Sequence, residues 1–254
     1  MRNIVAIAQK ELKSYFASPI AYIVIGCFAA LYGFFFIAIL RYFVGASMQA
    51  GMTGAQSMNV NQQLIRPLLQ NVTVVVLFLL PMITMRTYSE EKRSGTIELL
   101  LTSPLTDFQI VMGKFLGAMA LYCSMLAVTL FHFGVLFYFG RPEWKPILTA
   151  YLGLVLFGGC FISLGLFISS LSKNQIVAGF LTFATFLMLW IINWPGEYSG
   201  PTTRDLLNYL SITQHFDDFA RGVIDTKHVV YYLSFITFGL FLTAKSVDSE
   251  RWRG

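Results

Sequence analysis

Charged residues are scarce in this chain, and so is cysteine. Lysine, arginine, aspartate and glutamate make up 12% of the 254 residues, about half of their share in soluble domains. Three cysteines are too few for a disulfide scaffold, and the apolar content excludes an intrinsically disordered chain. The net charge of +5 is dispersed between apolar runs, which excludes a nucleic-acid-binding domain. With 56% hydrophobic residues, the chain is expected to lie in a membrane.

Motifs for catalysis and metal binding are also missing. The sequence has no phosphate-binding Gly-x-x-x-x-Gly-Lys-Ser/Thr loop, no Cys-x-x-Cys and no His-Glu-x-x-His. A metal site is not expected, because the three histidines stand far apart in the sequence. The remaining catalytic alternative is an intramembrane serine hydrolase, although serines in membrane helices commonly serve helix packing. Its candidate residues are Ser163, Ser169 and Ser170 with His132, the other histidines being His215 and His228.

Six apolar stretches are long enough to cross a bilayer as helices, or nearly so. The first is too long for a signal-peptide core and should remain as an anchor. Lys114 and Lys173 stand at span ends, where their amino groups are expected to snorkel to the membrane surface. No carboxylate lies inside a span, so an ion-coupled carrier is not expected and active transport would draw its energy from another polypeptide. The predicted spans are 20–40, 67–85, 115–139, 148–171, 176–194 and 229–244.

The distribution of basic residues predicts the orientation of these spans. Six crossings place both termini on one side, and the segments on that side hold 11 lysines and arginines against 7 on the other. Because basic residues accumulate in cytoplasmic segments, both termini are expected to be cytoplasmic.

Two segments on the predicted cytoplasmic side have helical patterns. Residues 1–17 form an amphipathic helix expected to lie in the membrane surface. Glu11 falls on its apolar face, either as a snorkelling or locally paired carboxylate or as a polar contact to a partner or neighbouring helix. In 86–114, Ser94 or Thr96 is expected to cap a short helix that ends at Thr102-Ser-Pro104.

This short helix suits docking into a groove on a cytoplasmic partner, with a solvated loop as the alternative. Its apolar face is predicted to consist of Ile97, Leu100 and Leu101. Thr106 and Gln109 then form a capping-box pattern that starts the third span.

The two long segments on the opposite side differ in composition. Segment 195–228 has its own helical periodicity and is expected to form a half-inserted or surface helical hairpin. One apolar face holds Leu206, Leu207 and Leu210, and another holds Phe216, Phe219, Ala220 and Val223. Segment 41–66 is expected to be a flexible loop; copper binding by Met48, Met52 and Met58 is the alternative.

Segment 86–114 resembles the loop between helices 2 and 3 of ABC-2-type transporter permeases, and the resemblance continues over nearly the whole chain. The stretch at 216–225 is most similar to the branch of gliding-motility-associated and nitrous-oxide-reductase-maturation permeases. The residues that carry the resemblance are Pro81-Met-Ile-Thr84, Glu91-Lys-Arg-Ser-Gly-Thr96, Glu98-Leu-Leu100, Thr102-Ser-Pro104, Gly113-Lys114, Lys10-Glu11, Ser169 to Ala178 and Phe216 to Asp225.

The resemblance implies a membrane subunit of the bacterial inner membrane that is itself non-catalytic. Two permease chains, identical or paralogous, would pair in the lipid and bind two cytoplasmic ATPase subunits. Mg-ATP would be held by the ATPase, and this chain would carry no cofactor. The implied coupling helix is 94–101, and residues 1–17, with Lys10 and Glu11, are the implied connecting helix. The residues that the resemblance implies for coupling to the ATPase are Glu91, Arg93, Ser94, Gly95, Thr96, Ile97, Glu98, Leu100 and Leu101.

Two functions follow from this resemblance. In the first, ATP-driven closure of the ATPases reorients spans 1, 2 and 5 and exports a lipid-linked, polymeric or sulfur-containing substrate. In the second, the spans relay ATPase motion through 41–66 and 195–228 to a periplasmic accessory or motility protein, with little solute passing.

Overall fold

The chain folds into helices throughout the regions that its computed structural model describes, residues 2–53, 59–140, 142–195 and 200–251, with the Leu101 side chain not included. The all-α prediction is confirmed for these regions. One π-helical turn, Asn61–Ile65, precedes α3. The α-helices are α1 (Arg2–Ala17), α2 (Pro19–Thr53), α3 (Arg66–Thr84), α4 (Arg86–Ser94), α5 (Thr96–Leu101), α6 (Asp107–Phe139), α7 (Trp144–Leu171), α8 (Gln175–Ile191), α9 (Pro201–Leu210), α10 (Ile212–Ala220) and α11 (Thr226–Arg251).

Within the described residues, five helical stretches are long and apolar enough to cross a membrane. They are α2, α6, α7, α11 and the stretch Asn61–Ser94, which joins the π-helical turn to α3 and α4. The predicted span 176–194 corresponds to α8, which is apolar but has only 17 residues. Because about 20 residues are needed for a perpendicular crossing, the sixth span stays a prediction.

The region after the first span is more ordered than the sequence predicts. α2 continues to Thr53, although its predicted end is residue 40 and the following segment was expected to be a flexible loop. Arg41 does not end the helix, since a long side chain can carry its charge away from the apolar surface. Met48 and Met52 are exposed on this extension, and Met58 lies outside the described residues.

Helix α7 forms the centre of the molecule. It packs against α3, α4, α6, α8, α10 and α11. Two thirds of its apolar window, like that of the stretch containing α3, is buried within the chain, whereas only 22% of the α2 window and 17% of the α11 window are buried. Exposed apolar residues such as Phe34, Ile37 and Tyr42 therefore leave one side of α2 free for lipid or another chain.

Between α8 and α11, helix α10 packs into the core and helix α9 does not. Phe216 and Phe219 are buried against neighbours that include α7, whereas Leu206 and Leu210 are exposed. Val223, predicted to share one apolar face with Phe216 and Phe219, is exposed and lies beyond the end of α10. The three histidines were expected to stand apart. The turn between α10 and α11 instead brings His215 and His228 into contact.

Two glycines let α1 lie directly on α6. A Cβ atom at Gly113 would stand 2.6 Å from the Cβ of Ile7, and one at Gly117 would stand 2.7 Å from the Cβ of Glu11. Real Cβ atoms do not approach that closely, so the two backbones can meet only where side chains are missing. The close contact places Glu11 beside the first buried turns of α6.

We expect Gly113→Ala to push α1 away from α6. Inserting a methyl group into a packed interface costs about 1 to 3 kcal/mol, and the thermal stability of the purified membrane protein should fall accordingly. Gly134→Ala is the matched control, because Gly134 lies on the same helix with nothing within 4 Å of its missing Cβ. An equal effect of both substitutions would show that the close approach at Gly113 is unimportant.

Candidate functional site

The start of α4 is held by a serine of the central helix. The Ser169 hydroxyl accepts hydrogen bonds from the backbone N–H groups of Tyr88 at 3.1 Å and Ser89 at 3.2 Å. It lies 3.0 Å from the carbonyl oxygen of Met85, to which it donates. The Tyr88 N–H lies in the first turn of α4, where amide groups have no partner within the helix. Ser169 therefore fixes the direction of α4 relative to α7.

The serine hydrolase alternative finds no support in this geometry. Ser163 and Ser170 donate to carbonyl oxygens of their own helix, those of Cys160 and Phe167. The His132 ring packs against aromatic rings of α2, with ring centroids 5.0 Å from Tyr32 and 4.9 Å from Phe36. Hydrolysis would need a nucleophile hydrogen-bonded to a base, and in the described regions these serines serve backbone and packing contacts instead.

A buried ion cluster joins α1, α4 and α6. The Lys114 Nζ atom lies 3.0 Å from Glu11 Oε1 and 2.8 Å from Glu91 Oε1, and it donates to the Thr87 carbonyl oxygen at 3.0 Å. The same ammonium group stands 5.0 Å from the centre of the Tyr88 ring. We call Glu11, Glu91 and Lys114 the Lys114 cluster. Each of its three charges comes from a different helix.

The cluster corrects the expectation for Lys114 and decides between the alternatives for Glu11. Lys114 is 1% exposed, so it does not snorkel to the surface as predicted. Its charge is balanced inside the chain, which is the condition for burying an ammonium group. Glu11 is a polar contact to a neighbouring helix. Glu91, expected to contact the ATPase, points into the chain here, and an ATPase role for it stays a prediction.

Further contacts surround this cluster. Lys10 lies 3.9 Å from Glu91 at the surface. The Tyr15 hydroxyl lies 3.2 Å from the Thr87 hydroxyl, and burial raises the pKa of Tyr15 above its usual range, which keeps the phenol protonated. Two ion pairs tie the end of α11 to the same region, Lys92 with Glu250 at 2.6 Å and Arg251 with Asp107 at 2.8 Å.

Helix α5 begins after a sharp turn at Gly95. This residue has a φ angle of 73°, in the left-handed region that glycine adopts without strain. Ser94 and Thr96, the predicted capping residues, hydrogen-bond to each other at 2.9 Å, and neither side chain caps the helix. Thr106 does cap α6, since its hydroxyl accepts from the Gln109 backbone N–H at 3.3 Å. The turn at Gly95 therefore separates α5 from α4.

The exposed face of α5 differs from the predicted one. Ile97 is only 8% exposed and Leu100 packs against the core, whereas Leu99 is 73% exposed. The Leu101 side chain lies outside the described residues. Sequence reasoning missed Leu99, which lies about 200° around the helix from Ile97 and therefore faces away from it. The predicted site residues that share the exposed surface with Leu99 are Arg93, Ser94, Gly95, Thr96 and Glu98.

A second candidate region is a polar cavity of about 340 Å³ between α3, α8 and α10. Asp217, the charged residue in its wall, is paired with Arg66 at 2.9 Å and Arg221 at 2.9 Å. The indole N–H of Trp190 is buried and finds no hydrogen-bond partner in the described residues. The wall consists of Gln70, Asn71, Thr73, Val74, Trp190, Thr213, Gln214, Phe216 and Asp217.

Comparison with known proteins settles the family. The family model of the ABC-2 family transporter protein matches residues 5–244. This chain belongs to the ABC-2 transporter family. As a member, it is a multi-pass membrane permease component of a family that is generally non-catalytic.

Two curated relatives are also similar to this ABC-2 protein. The inner membrane transport permease YhhJ of Escherichia coli K12 is 27% identical over 162 residues, which are 62% of this chain and 41% of the relative. The probable multidrug ABC transporter permease YbhR of the same organism is 28% identical over 145 residues, 56% of this chain and 38% of the relative. The chain thus spans about two fifths of the length of these relatives.

We expect Lys114→Met to destabilise the protein strongly. It removes the closest cation from Glu11 and Glu91, whose side chains are 12% and 17% exposed, and removing one partner of a buried ion pair costs about 3 to 5 kcal/mol. Thermal unfolding of the purified chain measures this loss. The triple variant Lys114→Met, Glu11→Gln, Glu91→Gln should recover much of it, since no uncompensated charge remains. Equal stability of the single and triple variants would contradict an electrostatic role for the cluster.

Proposed function

We propose that this chain is the membrane subunit of an ABC exporter, in which two copies or paralogues pair and two separate ATPases drive substrate across the inner membrane. The observation that carries the proposal is the position of α5, which packs against α4, the helix that carries Glu91 of the Lys114 cluster. Arg93, Glu98 and Leu99 offer a cation, an anion and an apolar side chain on the exposed surface around α5. Both termini are proposed to be cytoplasmic, which puts α5 on the ATPase side.

The packing around α5 supports a lever mechanism. α4 leads directly into the membrane helix α3, and its Glu91 binds Lys114 of the membrane helix α6. Glu11 binds the same ammonium group, so α1 follows the other two helices. A push on α5 from a closing ATPase would therefore act on α1, α3 and α6 together, because separating them would expose unpaired charges.

The polar cavity is our proposed substrate site. Its amide and hydroxyl groups can hydrogen-bond a solute. Asp217 is paired with Arg66 and Arg221, so it offers no free negative charge to a cation. The cavity therefore suits a polar group rather than a cation. Cavity walls from α3, α8 and α10 would change their spacing when α3 moves.

A mechanical relay remains the second candidate function, because α9 presents an unpacked apolar surface on the side opposite α5. Leu206, Tyr209 and Leu210 are exposed there, which suits contact with a periplasmic accessory or motility protein. The branch resemblance at 216–225 leads to the same candidate. Stimulation of ATP hydrolysis by a small solute in liposomes would favour export, and stimulation only by a periplasmic protein would favour the relay.

We expect Leu99→Asp to weaken binding of the ATPase. The substitution places a charge in the apolar centre of the proposed contact, and the ATPase recovered with the affinity-purified permease should fall by tenfold or more, on the order of 1.4 kcal/mol. Leu206→Asp is the matched control, since Leu206 is 59% exposed but separated from α5 by three helices. Undiminished recovery with Leu99→Asp, or equal losses with both, would refute docking at α5.

A further inference from the structure

His215 of α10 and His228 of α11 form a buried pair that the proposed export mechanism does not use. Their Nδ1 atoms are 2.6 Å apart. His215 Nε2 lies 2.9 Å from the Tyr209 carbonyl oxygen, and His228 Nε2 lies 2.7 Å from Asp218 Oδ2. The Tyr231 ring stacks on His215 at 3.8 Å between centroids. A chain of three hydrogen bonds therefore links α9, α10 and α11.

The acceptors fix where the protons lie. A carbonyl oxygen only accepts, so His215 Nε2 must carry a hydrogen and donate to Tyr209. His228 Nε2 donates to the Asp218 carboxylate in the same way. One hydrogen remains possible between the two Nδ1 atoms, so the pair in contact holds one proton more than two neutral imidazoles would. A further proton on His215 would set two N–H groups against each other at 2.6 Å.

The surroundings of His215 oppose that further proton. Burial lowers the pKa of His215, the carbonyl of Tyr209 acts in the opposite direction, and the charge of His228 lowers the pKa again. Among charged neighbours, Lys227 also disfavours protonation, whereas Asp218 favours it. The ionisable groups that face the pair are Asp218 on α10, Asp225 before α11, Lys227, Tyr231 and Tyr232 on α11, Tyr209 on α9 and Cys160 on α7.

We propose that His215 and His228 form a proton-binding site that latches α10 to α11 and releases it when the compartment bordering α10 becomes acidic. In the latched state the two rings share one proton between their Nδ1 atoms. In the released state each imidazole takes its own proton below the ordinary histidine value of about 6.5. The released state then binds two protons against one in the latched state, so the latch weakens as pH falls below that value.

Release would reach the polar cavity, since α10 supplies part of its wall. Thr213, Gln214, Phe216 and Asp217 line the cavity from the same helix that carries His215 and Asp218. This consequence rests on the proposed export function, with the cavity as the substrate site. In that setting the latch would open the cavity toward an acidic exterior. The latch itself requires no ATPase and no substrate.

Hydrogen exchange of the full-length chain in lipid nanodiscs tests the latch. We expect the opening of backbone amides in 209–228, corrected for the intrinsic exchange rate, to increase by up to about tenfold for each unit that pH falls between about 6.5 and 5.0. Amides at the contact of α1 and α6 should not respond. His215→Gln should abolish the response, because the glutamine side chain can accept from His228 but does not titrate. The control His132→Gln removes a histidine of α6, outside the pair, and should leave the pH response unchanged.

The outcomes separate the latch from the export proposal. A pH response in 209–228 that survives in His215→Gln, or no response in the unmodified chain, would overturn the latch. The absence of a pH response can be measured in the unmodified chain, so the latch can be overturned even if His215→Gln fails to fold. Undiminished ATPase recovery with Leu99→Asp would instead refute ATPase docking at α5, on which the export proposal rests, and would leave the latch standing.

Discussion

One buried ammonium group determines how α1, α4 and α6 are held together. Lys114 lies within 3.0 Å of both Glu11 and Glu91, and the charges of the cluster are costly to separate in a medium that excludes water. Three helices that are distant in sequence must therefore keep one arrangement. The glycines of α6 make this possible, because only a side-chain-free surface lets α1 bring Glu11 to the lysine.

The remaining parts of the coupling region depend on this arrangement. Ser169 sets the direction of α4 by bonding the backbone at the break after α3. The left-handed turn at Gly95 then projects α5 outward with Leu99 exposed. Fixed charges and hydrogen bonds thus connect α4, the helix next to α5, to α6 and α7, and α4 continues directly from α3, which lines the polar cavity. This continuity makes export driven by a partner ATPase the function that the geometry supports best.

Local patterns predicted much of the fold. Apolar runs indicated the positions of α3, α7 and α11, amphipathic periodicity indicated α1, and the Thr106 pattern indicated where α6 begins. Pairings between distant segments were not predictable in this way. A lysine at the end of an apolar run is usually a surface residue, and its burial follows only from the approach of α1. Likewise, His215 and His228 stand 13 positions apart, and the turn at Gly222, with a φ angle of 88°, brings them together.

In the proposed mechanism, α1, α4 and α6 move as one unit when the ATPase acts. Electron cryomicroscopy of the permease with its ATPase, without nucleotide and with ATP bound, tests it most directly. We predict that the ATPase contacts α5 and that the Lys114 amino group stays within hydrogen-bonding distance of Glu11 and Glu91 in both states. Separation of either carboxylate from Lys114, or an ATPase seated away from α5, would contradict the account.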